Sequence, residues 1–228
     1  MNSQKGFLLS FIKYGENDAV LHCFTEEDGF QTYFLKGIYA KRNKKKALLL
    51  PLSQLSFSIH PGKGNGIQSV SRFELVKNND IYTDVKMNTV IFFVSDFLNQ
   101  ILRNEDKNIA VFFGIDEFIE ELSLENYQSH LVFLIKILKI QGVAPLVNAG
   151  KYLDPETGIF TTGLTHQLFS EEISSIWKNI LSSENPYQIR IHSSKRKDFL
   201  DSLLVYYHYH ITDFKIPNSL EVIQQIFE

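Results

Sequence analysis

Leu55-Ser56-Phe57-Ser58-Ile59 decides the fold of the N-terminal part, because its apolar residues occupy every second position. A period of two puts Leu55, Phe57 and Ile59 on one face of a strand and the serines on the other, as a half-buried strand requires. Outward from it, Leu50–His60 and Ile67–Val76 read as strands joined by Pro61-Gly62-Lys63-Gly64-Asn65-Gly66. Upstream, Gly6–Tyr14, Ala19–Thr25 and Phe30–Lys36 read as three more. Their separators, Gly15-Glu16-Asn17-Asp18 and Glu26-Glu27-Asp28-Gly29, are turn clusters in which glycine supplies a positive φ. Five short strands within residues 1–78 predict a small closed or nearly closed β-barrel.

From about Asp84 the period changes. Val90, Phe93, Val94, Phe97 and Ile101 fall at helical spacing, as do Val111, Ile115, Phe118, Ile119 and Leu122. Asn126–Gln141 is apolar nearly all round, which predicts a central buried helix stopped by Gly142. Val143–Gly163 reads as loop and short extended pieces around the turn Asp154-Pro155-Glu156-Thr157-Gly158. Helices are expected again over Thr165–Leu181, Ser194–Ile211 and Ser219–Phe227, the last opened by Asn218 with Glu221 as a capping-box-like pair. The fold class is α+β: a five-stranded oligonucleotide-binding (OB) type barrel at residues 1–78, then a mainly helical domain at residues 79–228.

The charge is lopsided. Residues 1–78 carry 11 Lys and Arg against 6 Asp and Glu, and the remainder 12 against 20, within a net charge of −3. The basic end sets up a local field that attracts polyanions, phosphate backbones above all. The 228 residues are 44% hydrophobic and 21% charged, enough for a sizeable core in a globular protein. The single cysteine, Cys23, excludes an intramolecular disulfide and a Cys-rich zinc site, and its apolar neighbours predict a buried structural thiol. Met1-Asn2-Ser3-Gln4-Lys5 has no signal-peptide apolar region and no apolar run is long enough to span a bilayer, so a cytoplasmic protein is expected.

The basic field has its densest point in Lys41-Arg42-Asn43-Lys44-Lys45-Lys46. A charge run is commonly only a solvated loop. Here it lies within the barrel segment that also holds Lys36, Lys63 and Arg72, with Tyr33, Phe34 and Tyr39 as aromatic neighbours. Small barrels of this type lay single strands across cationic loops and stacking aromatics, so these eight cations are the candidate DNA-binding residues. Gly62-Lys63-Gly64-Asn65-Gly66 is no phosphate loop, since a strand rather than a helix follows it. In Tyr206-Tyr207-His208-Tyr209-His210 the two histidines are two apart, and on a helix they point away from each other rather than at one metal. Ser193-Ser194-Lys195-Arg196-Lys197-Asp198 sets three cations at a helix start, against the dipole. That cluster reads either as an anion site or as a tolerated surface cluster. No catalytic constellation stands out, so no enzyme is expected.

Taken together, Gly6-Phe7-Leu8-Leu9, Tyr14-Gly15-Glu16-Asn17-Asp18, Phe24-Thr25-Glu26-Glu27-Asp28-Gly29, Leu35-Lys36-Gly37-Ile38, the basic loop and Ala47-Leu48-Leu49-Leu50-Pro51-Leu52 resemble the bacterial RecO family of recombination mediators. Looser echoes run through Phe133–Gly142, Asp154–Phe160 and Phe214–Ile223. The resemblance implies a non-enzymatic, nucleoid-associated DNA-repair protein that binds single- and double-stranded DNA and anneals complementary strands. It further implies contacts with RecR and with the acidic C-terminal tail of single-stranded-DNA-binding protein (SSB), which together help to load RecA. Two departures stand out. Many relatives carry a four-cysteine zinc site after the central helix, whereas Val143–Gly163 has no cysteine, so no metal or other cofactor is expected. Where some relatives open that helix with paired arginines near the SSB-tail pocket, this chain has Ser129-His130. That leaves Lys136, Lys139, Lys195, Arg196 and Lys197 as candidates for tail binding. The rival reading is a protein-interaction adaptor working through the helical domain, with little DNA binding of its own.

Overall fold

A computed structural model describes residues 2–60, 66–77 and 80–227. The contacts divide into two compact units, Met1–Thr83 with Ile91–Phe112, and Asp84–Val90 with Phe113–Glu228.

The first unit is built on five strands: β1 (Asn2–Tyr14), β2 (Asp18–Thr25), β3 (Gly29–Leu35), β4 (Gln54–His60) and β5 (Gln68–Leu75). They close into a barrel in the order β1-β2-β3-β5-β4, with β3 and β5 parallel and every other pair antiparallel. The closed barrel is what the alternation and turn clusters predict, and its strand order is of the OB type. Leu55 and Phe57 point inward and are buried with Leu21, Cys23, Tyr33, Val70 and Phe73. Strand β1 serves two neighbours because a register shift between Leu8 and Ser10 bends it: Asn2–Phe7 pair with β4, and Gly6–Tyr14 with β2. Gly29 opens β3 at φ +67°, and a Cβ there would lie 2.4 Å from the Asp106 backbone. Only glycine fits, and the close approach lets Phe30 N–H donate to Glu105 O at 3.0 Å. Burial pushes the Cys23 thiol up to about 12, the inert structural thiol expected of its position. The turn between β4 and β5, with Lys63 and most of its glycine cluster, lies outside the described residues.

Helices α1 (Val85–Ile101) and α2 (Ile109–Ser123) follow the two predicted periodic segments. The second unit centres on α3 (Ser129–Ile140), whose Leu131–Ile135 are all buried, and Gly142 stops it at φ +73°. The sequence expectation began this helix at Asn126. Instead the Asn126 amide donates to Tyr187 O (3.1 Å), and Gln128 both donates to Ile189 O (2.5 Å) and accepts from Ile191 N–H (3.0 Å). Those side chains tie a neighbouring loop rather than extend a helix. A hairpin of β6 (Tyr152–Asp154) and β7 (Ile159–Thr161) occupies the stretch read as short extended pieces.

Helix α4 runs over Glu171–Ser182. Its expected start at Thr165 is corrected by Ser170, whose hydroxyl accepts from Ile173 N–H at 3.3 Å and caps the true N-terminus. Helices α5 (Ser193–His210) and α6 (Leu220–Phe227) complete the unit. The first intrahelical bond of α6 goes to Ser219 O, so Ser219 rather than Asn218 stands at the cap. Trp177 is fully buried and donates to Ser202 Oγ at 2.9 Å, and Tyr207 O–H donates to Leu134 O at 2.7 Å, so both aromatic polar ends are satisfied. No helix among the described residues is long and apolar enough to cross a membrane.

Candidate nucleic-acid interface

The loop leaving β3 is folded back on itself. Asp18 Oδ1 accepts from Gly37 N–H at 2.7 Å, and Tyr39 N–H donates to Asn17 O at 2.8 Å, which fastens the loop to the β1–β2 turn. Asn43 then bonds Gly37 O through its side chain (3.0 Å) and caps the short 3₁₀ turn Lys44–Leu48 by accepting from Lys45 N–H (2.9 Å). A stretch that reads as a floppy charge run is therefore pinned at both ends.

Pinning creates an open groove of about 670 Å³ between this loop and β5. Lys36, Arg42, Lys44, Lys45 and Arg72 line it, with Phe73 at its base. Lys45 Nζ donates to Phe73 O at 3.1 Å and sits 5.5 Å over the Phe73 ring, so it builds the wall as well as charging it. Among the described residues, Lys36, Lys41, Arg42, Lys44, Lys46 and Arg72 have no ion-pair partner, and all six are exposed. Unpaired cations crowded on one rim repel one another, and an anion bound between them relieves that repulsion.

Five of the eight residues proposed from the sequence thus converge. Lys41 and Lys46 do not line the groove, and Lys63 is outside the described residues. Successive residues of a 3₁₀ turn point about 120° apart, which sends Lys46 away from Lys45 and over Tyr39, at 5.6 Å. Of the three aromatics offered for stacking, Tyr33 is unavailable. It is fully buried in the barrel core, where its O–H donates to Gln4 Oε1 at 2.8 Å. Phe34 and Tyr39 are half-buried. A cation missing from the sequence reading is Lys13, which lies 5.6 Å over Tyr39. Its apolar strand neighbours hid it, although its pairing with Ala19 at the end of β1 follows from the hairpin.

In the second unit the candidate cations are mostly engaged. Lys136 pairs with Glu117, Lys139 donates to Leu181 O at 2.8 Å, and Lys195 pairs with Glu172 at 2.6 Å. Burial lowers the Lys139 pKa, while the hydrogen bond and charge of Glu172 raise that of Lys195. Arg196, which donates through Nε to Ile191 O at 3.1 Å, and Lys197 line a small cavity with Tyr127, His130, Leu200 and Ile223. His130, fully buried and bonded through Nδ1 to Tyr127 O at 2.9 Å, has its pKa lowered to about 4 by burial and is neutral. His208 and His210 lie on α5, as the helical reading required. His210 stacks on Tyr206 and reaches Pro155 O at 2.8 Å rather than facing a metal. Among the described residues no group of three or more His, Cys, Asp or Glu side chains is placed to hold a metal ion.

Strand order and groove together define a protein with an OB-type barrel and a helical second part. Residues 1–79 match the family described as "Recombination protein O N terminal". Along 98% of its length the chain is similar to proteins named "DNA repair protein RecO", each covered over 98% of its own length. It is 29% identical to that of Flavobacterium psychrophilum, 28% to that of Flavobacterium johnsoniae and 24% to that of Porphyromonas gingivalis.

Proposed function

We propose that this protein is a non-enzymatic DNA-binding recombination mediator acting in DNA repair, in the cytoplasm at the nucleoid. One observation carries the reading: five cations from the loop and from β5 converge, without carboxylate partners, on one groove of the barrel. Such contacts hold phosphates and leave base edges unread, so binding is expected on single- and double-stranded DNA alike. Screening the repulsion between two backbones while pairing edges stay free is the physical basis for annealing complementary strands. The names of the relatives support the repair role.

The finer steps follow the same reading. The protein would engage RecR and help it to load RecA on SSB-coated single strands. For the acidic SSB tail, the small cavity beside Arg196 and Lys197 offers two cations over an apolar lining of Leu200 and Ile223. This cavity brings together two of the five candidates; Lys136, Lys139 and Lys195 do not line it. The adaptor reading draws on that same cavity and predicts tail binding without DNA binding.

Fluorescence-anisotropy titration of a short single strand at several salt concentrations tests the proposal. Binding whose log K falls steeply with log salt is the expected result. No binding at low salt, with capture of the SSB tail intact, would transfer the function to the adaptor.

A further inference from the structure

The outer surface of the barrel carries an apolar and aromatic strip that the core does not explain. Cross-strand partners share a face, and Ile12, Val20 and Phe34 face one another across β1, β2 and β3 on the side opposite the buried Ala19, Leu21 and Leu35. Tyr14, two residues beyond Ile12, sits on the same side, 61% exposed. It meets Phe34 edge to face, with ring centroids 5.8 Å apart and an interplanar angle of 82°. Ile12 is 60% exposed. Large apolar side chains this open, on a strand that could have carried serine or threonine, call for an occupant.

Its surroundings say what the occupant is. Lys13, between Ile12 and Tyr14 in sequence, leaves β1 on the other face, that of its partner Ala19, and its ammonium is held over Tyr39 together with that of Lys46. The turn following Tyr14 is bonded to the loop that forms the cationic groove, through Asn17 O to Tyr39 N–H and Asp18 Oδ1 to Gly37 N–H. Groove and strip thus flank one pinned turn of the chain. A ligand that spans both must be anionic along its backbone and flat and apolar at its side groups. An unpaired nucleic-acid strand has that chemistry. A duplex does not, because its bases are stacked on one another and turned inward.

We infer that Tyr14 and Phe34 form a stacking ledge for unpaired bases next to the phosphate groove. This rests on the DNA-binding reading of the groove and adds a preference to it. The groove accepts any phosphate backbone; the ledge accepts only a strand whose bases are free. Tyr14 supplies the open ring, and Phe34, half-buried, fixes its tilt. Two subsites of different selectivity on one barrel let a strand shift its bases off the ledge as it pairs, while its phosphates stay in the groove.

The test compares a short oligothymidylate with a blunt duplex of equal length, using anisotropy on the full chain. Tyr14→Ala is expected to weaken single-strand binding about 5- to 20-fold, the lower part of the range for one lost stacking contact, and to leave duplex binding within about twofold. Tyr14→Phe, which keeps the ring, should bind as the parent does. A Tyr14→Trp variant reads stacking directly, because Trp177 is fully buried and gives a steady background. Its added fluorescence should be quenched by the single strand and not by the duplex. Equal losses on both DNA forms, or no quenching at saturation, would overturn the ledge while the groove stands. A parent protein that binds neither form would remove the groove reading and the ledge with it.

Discussion

The barrel and the helical unit each carry a cluster of cations of the same two residue types, yet they differ in what those cations already hold. Around the groove, Lys36, Arg42, Lys44 and Arg72 project from a pinned loop and a strand with no carboxylate on them. In the helical unit, Lys136 and Lys195 are each closed by a glutamate, and Lys139 by a carbonyl. Counting lysines does not distinguish the two. A cation that has a partner contributes mainly local order, while an open one contributes field and counterion release.

The comparison breaks most visibly if the groove is emptied of charge. Replacing Lys36, Arg42, Lys44, Lys45 and Arg72 together by Gln should weaken DNA binding by roughly 10³-fold at moderate salt and reduce the salt slope by about 3 to 5. Anisotropy across a salt series measures both; an unchanged slope would mean that phosphates are held elsewhere. Next in size is a stability effect confined to the helical unit. The folded-state pKa of His130 is about 4 and its ordinary value is 6.5. Between those values the unfolded chain takes up a proton that the folded chain refuses. The stability contributed by the neutral ring is therefore complete above the ordinary value and is lost as pH falls. From pH 7 to pH 5 the loss should be about 2 kcal/mol. Urea unfolding at the two pH values should show it, and His130→Gln should flatten it; an equal acid loss in that variant would place the titration elsewhere.

Smaller effects sharpen the contrast. Glu117→Gln and Glu172→Gln together open Lys136 and Lys195, and if availability is what separates the clusters, duplex affinity at low salt should rise about two- to threefold. No gain would show that the pinned groove geometry matters beyond open charge. Smallest of all, Lys136→Gln alone should leave DNA affinity within about twofold, because that ammonium is already neutralised by Glu117.

Much of this was legible beforehand. The alternation in Leu55–Ile59 and the turn clusters defined five strands, since a period of two and a glycine at positive φ are local properties. Helix starts were less legible. Asn126 and Gln128 bond a loop some 60 residues away, and Ser170 rather than Thr165 caps α4. Within the basic run, composition could nominate lysines but could not say which way each side chain leaves the 3₁₀ turn. Only the fold separates Lys44 and Lys45, which line the groove, from Lys46, which lies on Tyr39. Lys13 and Tyr14 carried a weak signal, an apolar alternation running past the point where the barrel needs it.

The anchoring of the cationic loop also has a kinetic side. Gly37 and Tyr39 are bonded to the β1–β2 turn, and Asn43 bonds back to Gly37. The chain's ordering is therefore complete before any strand arrives. On the proposed DNA-binding function, encounter would need no slow rearrangement, so the capture rate would be governed by the long-range field and fall as salt screens it. Residence time would then depend on how many contacts must open at once, and a strand would be released in steps, phosphate by phosphate.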